Sequence, residues 1–207
     1  MHSRMNFLSM IACVALFVVL PVQANETAKL ATTMEATLDV MYLDAYKDYT
    51  SAQQQDAVRA IVEDQYDLEV LIRRAMARNW SLLTADEQVQ VRNLIDQLIV
   101  KSFVEGMAGK DRPILDCGAV IDVTSKRIEV PVVISFPSGK TFNVLYRLGL
   151  LKTGWQIYDI VAEDISIVSN YRQQFDDHFR KGNGAQLIEK LEKLLGQEEL
   201  DVSTIIL

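Results

Sequence analysis

The spacing of apolar residues changes near residue 114, and this change restricts the fold more than any other property of the chain. Before it, apolar residues recur every three or four positions; after it, every second position. Thr27 to Asp48 reads as one or two helices with Leu30, Met34, Leu38 and Met41 along one stripe. Thr50-Ser51 opens a second segment, with Val58, Ile61 and Val62 as its apolar side. Asp67 is placed to cap a third, which carries Leu68, Leu71, Ile72 and Ala75. Thr84-Ala85-Asp86-Glu87 has the form of a capping box, and Val91, Leu94, Ile95, Leu98, Ile99 and Phe103 follow at helical spacing as far as Gly106 and Gly109.

From Ile114 four strands are expected: Ile114–Val123, Arg127–Phe136, Thr141–Leu151 and Trp155–Glu163. The short turns Pro137-Ser138-Gly139-Lys140 and Lys152-Thr153-Gly154 imply an antiparallel meander. Ile128, Val130, Val132, Ile134 and Phe136 share one face of the second strand, and Phe142, Val144, Tyr146, Leu148 and Leu150 one face of the third. Glu129, Ser135, Asn143 and Arg147 take the opposite faces. In the fourth strand, alternation puts Trp155, Ile157, Asp159 and Val161 together, with Tyr158 and Ile160 behind them. Helices are expected again over Ile165–Lys181 and Gln186–Leu195, separated by Gly182-Asn183-Gly184. The fold class is therefore α+β, with helices packed on one face of a curved four-stranded antiparallel sheet. Such a cone is either filled by side chains or left open for an apolar ligand, and the residues alone allow both.

The first 24 residues read as a targeting segment. A positive start, Met1–Arg4, precedes an apolar run from Phe7 to Leu20; then come Pro21 and Val22-Gln23-Ala24, with small residues where a secretory peptidase cuts. The run is shorter than the roughly 20 residues needed to span a bilayer. Cleavage after Ala24 is expected, followed by one domain over 25–200 and a tail over 201–207 that ends in Ile205-Ile206-Leu207. What remains has one cysteine, Cys117, so it has no internal disulfide, and one histidine, His178. The net charge of −7, with no basic stretch longer than two residues, argues against a nucleic-acid partner.

Catalytic signals are few. There is no H-E-x-x-H, C-x-x-C or G-x-S-x-G. His178 follows Asp176-Asp177 and reads as a solvated helix residue, and Cys117 as a small buried hydrophobe. Asp159 stands out as a carboxylate on an apolar strand face. It reads either as an anchor for a nearby backbone or for Arg147, or as the general base of an isomerase or hydratase. Arg172 reads either as half of a structural ion pair or as a contact for a phosphate.

Two stretches carry a family likeness. The first is Trp155, Ile157, Tyr158, Asp159 and Ile160 leading into Ser166, Ile167, Val168, Tyr171, Arg172 and Phe175. The second is Asp67-Leu68, Arg74-Ala75-Met76, Trp80 and Thr84-Ala85-Asp86-Glu87-Gln88. In these the chain resembles the periplasmic phospholipid-binding proteins of the toluene-tolerance family, also called MlaC proteins. It departs from them at Asp164, where the family usually has glycine, and at Arg78-Asn79, where many members have one. The resemblance implies a non-enzymatic periplasmic shuttle without a cofactor, carrying phospholipid in a central apolar cavity. It also implies two partners: an inner-membrane ABC transporter complex with an MCE-domain protein, and an outer-membrane lipoprotein–porin complex. A cavity of that kind would draw on Leu71, Trp80 and Phe103 from the first helices and on Val132, Ile134, Phe142, Val144, Tyr146, Trp155, Ile157 and Val161 from the sheet. Val168, Tyr171, Arg172 and Phe175 would close it. A third reading, an adaptor of an exported complex that binds no ligand, predicts a filled core instead.

Overall fold

Five helices start where a side-chain oxygen can accept a backbone N–H that the first turn leaves free. Thr50, Asp67, Thr84, Ser166 and Asn183 do this, and at Thr50, Thr84 and Asn183 the side chain three residues on reaches back to complete a capping box. The computed structural model describes residues 22–197. The expected targeting segment lies outside them, except for the backbone of residues 22–24, and so does the tail 201–207. The helices are α1 (Val22–Tyr42), α2 (Ser51–Gln65), α3 (Leu68–Met76), α4 (Ala85–Met107), α5 (Ile167–Phe179) and α6 (Gly184–Leu195), with 3-10 turns at Asp44–Tyr46 and Ala77–Leu82.

The sheet has six strands: β1 (Ile114–Cys117), β2 (Ile121–Thr124), β3 (Arg127–Ser135), β4 (Thr141–Leu151), β5 (Gly154–Ala162) and β6 (Ile165–Ser166). It is antiparallel, in the order β1-β3-β4-β5-β6, and β2 shares the β1 side of β3. Between β3 and β4 the expected faces hold: Ile128 faces Leu148, Val130 faces Tyr146, Val132 faces Val144 and Ile134 faces Phe142.

Four expected strands become six for two reasons. The strand expected over Ile114–Val123 is broken in two opposite Pro131. The Pro131 carbonyl accepts from Gly118 N at 2.8 Å, but proline has no N–H to return, so the ladder lapses between β1 and β2. Gly118 must be small there, because a Cβ would sit 2.9 Å from Pro131 Cγ. At the other end, Ile165-Ser166 pairs with Val161-Ala162 as a sixth strand, so α5 begins at Ile167 and not at Ile165. Glu163 and Asp164 make the connecting turn with φ of 47° and 66°.

A third correction concerns β5. The pairing slips so that Arg147 faces Asp159 while Leu148 faces Ile157, which leaves Tyr158 as a bulged extra residue. One extra residue reverses the parity of everything after it. Asp159 and Val161 therefore share the side of Arg147 and Glu129, away from Trp155 and Ile157, whereas Ile160 joins the covered face opposite Tyr146. The Arg74 and Arg127 guanidinium groups lie over the ring of the bulged Tyr158, 4.4 and 5.9 Å from its centre.

Three clusters form the core. The covered face of the sheet packs Ile128, Val130, Val132, Leu148, Trp155 and Ile157 against Leu30 of α1 and against Tyr66. Val40, Val58, Val100 and Val104 join α1, α2 and α4. Ile72, Met76, Val91, Leu98, Phe175, Leu187 and Leu191 join α3, α4, α5 and α6. No helix among the described residues is long and apolar enough to cross a membrane.

Two measurements follow from these positions. Asp164→Gly removes a side chain from a left-handed position and is expected to raise unfolding stability by about 0.5 kcal/mol in urea titration. The second concerns Asp96 on α4, whose carboxyl is pushed up to about 6 by burial and by the adjacent Glu63 carboxyl. Folding thus binds extra proton between that value and the ordinary 3.8, so stability rises as pH falls through this window and the group's destabilising effect is complete above it. The urea midpoint should increase from pH 7 to pH 5, and Asp96→Asn should flatten that slope.

Candidate functional site

The third cluster is not fully closed. Between α3, α4, α5 and α6 lies an apolar cavity of about 240 Å³, touched from the sheet only by Ile160. Leu71, Ile72 and Ala75 of α3 line it, as do Ile95, Leu98, Ile99 and Ser102 of α4. Ile167, Val168, Tyr171 and Phe175 of α5 and Leu191 and Leu194 of α6 complete the wall. Ile99 is 39% exposed, so the cavity reaches the surface beside it. The expected centre of the cone, under the sheet, is occupied by packed side chains instead; the space lies off to the helical side.

The chemistry of the wall is narrow. Its two side-chain hydroxyls are Ser102, which donates to the Leu98 carbonyl at 2.6 Å, and Tyr171, whose phenol burial pushes up to about 12. Neither ionises near neutral pH, and among the described residues no carboxylate, imidazole or amine lines the space. Among the described residues no group of three His, Cys, Asp or Glu side chains could hold a metal ion. The arrangement can bind hydrocarbon by excluding water from it.

Polar contacts outside the cavity fix its walls. Gln156 of β5 accepts from Asp67 N at 2.8 Å, which sets the start of α3. Arg172 of α5 donates to the Arg74 carbonyl at 2.8 Å, covering a free acceptor at the end of α3. Asp176 of α5 accepts from Asn79 Nδ2 at 2.7 Å and from Arg78 Nε at 3.2 Å, and these bonds hold its carboxyl below the usual range. Asp159 does the most. It accepts from Ser166 Oγ at 2.8 Å, from the free Val168 N–H at the start of α5 at 3.2 Å and from Arg147 Nη1 at 3.2 Å, while Arg147 also reaches Glu129 at 2.9 Å. Of its two readings, this is the anchor, with both expected kinds of partner present; Asp159 does not line the cavity. His178 is engaged as well: its Nε2 lies 3.0 Å from the Asn183 carbonyl across the turn between α5 and α6. The Cys117 thiol, at the edge of the sheet cluster, is pushed up by burial and by Asp116.

Leu71, Val168, Tyr171 and Phe175 are brought together around the cavity. Trp80 packs on the same cluster from outside, under the Arg73 guanidinium at 5.6 Å. Val132, Trp155 and Ile157 belong to the packed sheet face, with Ile134 and Tyr146 packed against them. Val144 pairs with Val132 on that face, and Phe142 sits at its end, edge-on to Phe136 at 6.1 Å. Val161 is turned away by the bulge, and Phe103 packs with α1 and α2. Arg172 Nε is buried without a partner among the described residues. The lining residues of α4 were visible in its apolar stripe. Nothing local marked that stripe as facing a cavity instead of core, nor α6 as the opposite wall.

A family model described as MlaC protein matches residues 31–193. Among solved structures, a phospholipid-binding protein from Ralstonia solanacearum, determined in complex with a phospholipid, superimposes with a TM-score of 0.71. It is 19% identical, and the match covers 81% of this chain and 94% of that one. No curated protein sequence matches significantly.

The anchor role of Asp159 has a measurable size. Asp159→Ala leaves Arg147 with a single partner and uncovers the start of α5, so it should lower unfolding stability by about 3 kcal/mol. Asp159→Asn keeps acceptor capacity and should cost about half as much in the same urea titration.

Proposed function

The chain belongs to the MlaC protein family, and on that premise we propose that it carries phospholipid, holding acyl chains in the cavity between α3, α4, α5 and α6. The observation that supports this most is the wall itself: aliphatic and aromatic side chains from four helices around about 240 Å³, with both hydroxyls unable to titrate near neutrality. The likeness in fold to a protein solved with a phospholipid adds to it.

The space is below the roughly 300–1,000 Å³ of sites for drug-sized ligands, so a phospholipid needs it enlarged. Leu71 and Ile160 border both this cavity and the packed sheet face. Enlargement therefore runs between them toward Trp155, Ile157 and Tyr146, which join the lining when lipid is held. Each buried methylene is worth about 0.8 kcal/mol, so one long chain gains on the order of 10 kcal/mol relative to water. A membrane offers the same gain. Transfer is thus close to neutral in energy and limited by the crossing through water, which docking shortens. The shuttle works in the periplasm, between an outer-membrane lipoprotein–porin complex and an inner-membrane ABC transporter complex with an MCE-domain protein. Its net charge, −8 once Arg4 leaves with the first 24 residues (20 basic against 28 acidic), keeps it from clinging to anionic membrane surfaces.

The test is direct. Residues 25–207, purified without detergent and extracted with organic solvent, should yield phospholipid near one per protein by mass spectrometry. Extracts that stay clean after incubation with vesicles would remove this reading. Ile99→Trp narrows the mouth at a partly exposed site, so it should cut lipid loading at least roughly fivefold while changing stability by less than about 1 kcal/mol.

A further inference from the structure

Helix α6 supplies the last wall of the cavity through Leu191 and Leu194, and its two ends are held by different means. At its start, the backbone of Gly184 lies so close to Glu87 of α4 that a Cβ would meet the carboxyl carbon at 2.5 Å. The Asn183–Gln186 capping box and the His178–Asn183 contact add to that hold. Leu187, one turn in, is completely buried. At the far end Leu191, Leu194 and Leu195 pack on the core, and among the described residues one side chain supplies the polar hold. Lys101 of α4 donates from Nζ to the Leu195 carbonyl at 2.9 Å and to the Gln197 carbonyl, and Glu105 lies 3.5 Å from the same ammonium.

Lys101 is only 9% exposed. A buried ammonium is costly unless it is fully paired, and an apolar residue at this position would fill the same space without that cost. Here the charge covers carbonyls that the end of α6 leaves free, where the helix dipole favours a cation. Lys101 is also placed beside the cavity: Leu98 and Ser102, which line it, are three residues before and one residue after.

Resting on the carrier reading above, we propose that Lys101 is a positioning residue for lipid exchange: it latches the C-terminal half of α6 over the cavity. When the latch lets go, α6 swings about Lys181–Gly184, withdrawing Leu191 and Leu194 while Leu187 stays seated. The gap opens between α4 and α6, beside Ile99. Acyl chains enter and leave there, and the latch sets the rate of exchange and not the amount of lipid held.

The experiment compares the wild-type chain with Lys101→Met and Lys101→Arg. Transfer of a fluorescent phosphatidylglycerol is followed from vesicles of phosphatidylethanolamine and phosphatidylglycerol, together with equilibrium loading and amide hydrogen exchange over residues 184–195. Loss of two charge-assisted hydrogen bonds should make transfer in Lys101→Met about tenfold faster. Loading should stay within about twofold, and the amides of the second half of α6 should exchange faster than those of the first. Lys101→Arg should restore the wild-type rate. An unchanged transfer rate in Lys101→Met, despite faster amide exchange in α6, overturns the proposal. If Lys101→Met fails to fold, the wild type decides: lipid should protect the second half of α6 selectively, and uniform protection along α6 with or without lipid overturns the latch. A wild type that takes up no lipid defeats the carrier reading instead, and its amide pattern still reports whether the end of α6 opens first.

Discussion

The Asp159 carboxylate is the contact on which the arrangement of the rest depends. It reaches three elements at once: Arg147 on β4, Ser166 on β6 and the free Val168 N–H of α5. That N–H needs an acceptor whether or not the protein binds anything, because a buried helix start without one is costly. Satisfying it from β5 ties α5 to the sheet. Val168, Tyr171 and Phe175 then join α3 and α4 in the cavity wall. The carboxylate can do this only because the bulge at Tyr158 turns it away from Trp155 and Ile157.

The sheet and the helices divide the work. The covered sheet face is filled by Leu30 and Tyr66, so it acts as a base for the helices and not as an open cone. The space lies where four helices meet, between the packed pair α4 and α6 and the packed pair α3 and α5. Leu71 and Ile160 sit on the boundary between the two regions. The polar contacts that set the spacing of the helices, Gln156 to Asp67, Arg172 to Arg74 and Asp176 to Asn79, all lie outside the cavity. Its interior is left with hydrocarbon, and its geometry is controlled from its rim.

Much of this was legible residue by residue. Helix starts at Thr50, Asp67 and Thr84 follow from side-chain chemistry within one turn, and the paired faces of β3 and β4 follow from alternation. Val161 was misplaced because a period-two argument cannot see a bulge, and one extra residue inverts every later side chain. The break opposite Pro131 carries a readable signal, an imino acid within a strand, but only pairing shows that its missing donor faces Gly118 and not β4. The sheet residues expected at the cavity and the α4 residues actually there have the same apolar spacing, so the pattern could not rank them.

By itself, the order of residues determined which segments are mainly helical or extended, where α2, α3 and α4 begin, and which side of β3 and β4 avoids water. These are local properties, settled by propensity, capping and period over a few neighbours. Only the tertiary structure decided which apolar side meets which. It set the parity of β5 beyond Tyr158, gave the Lys101 ammonium the carbonyls of α6 to cover, and placed the cavity among α3, α4, α5 and α6. An apolar side chain has the same sequence signature against a neighbour as against a void, and the difference exists only once the partners have been chosen.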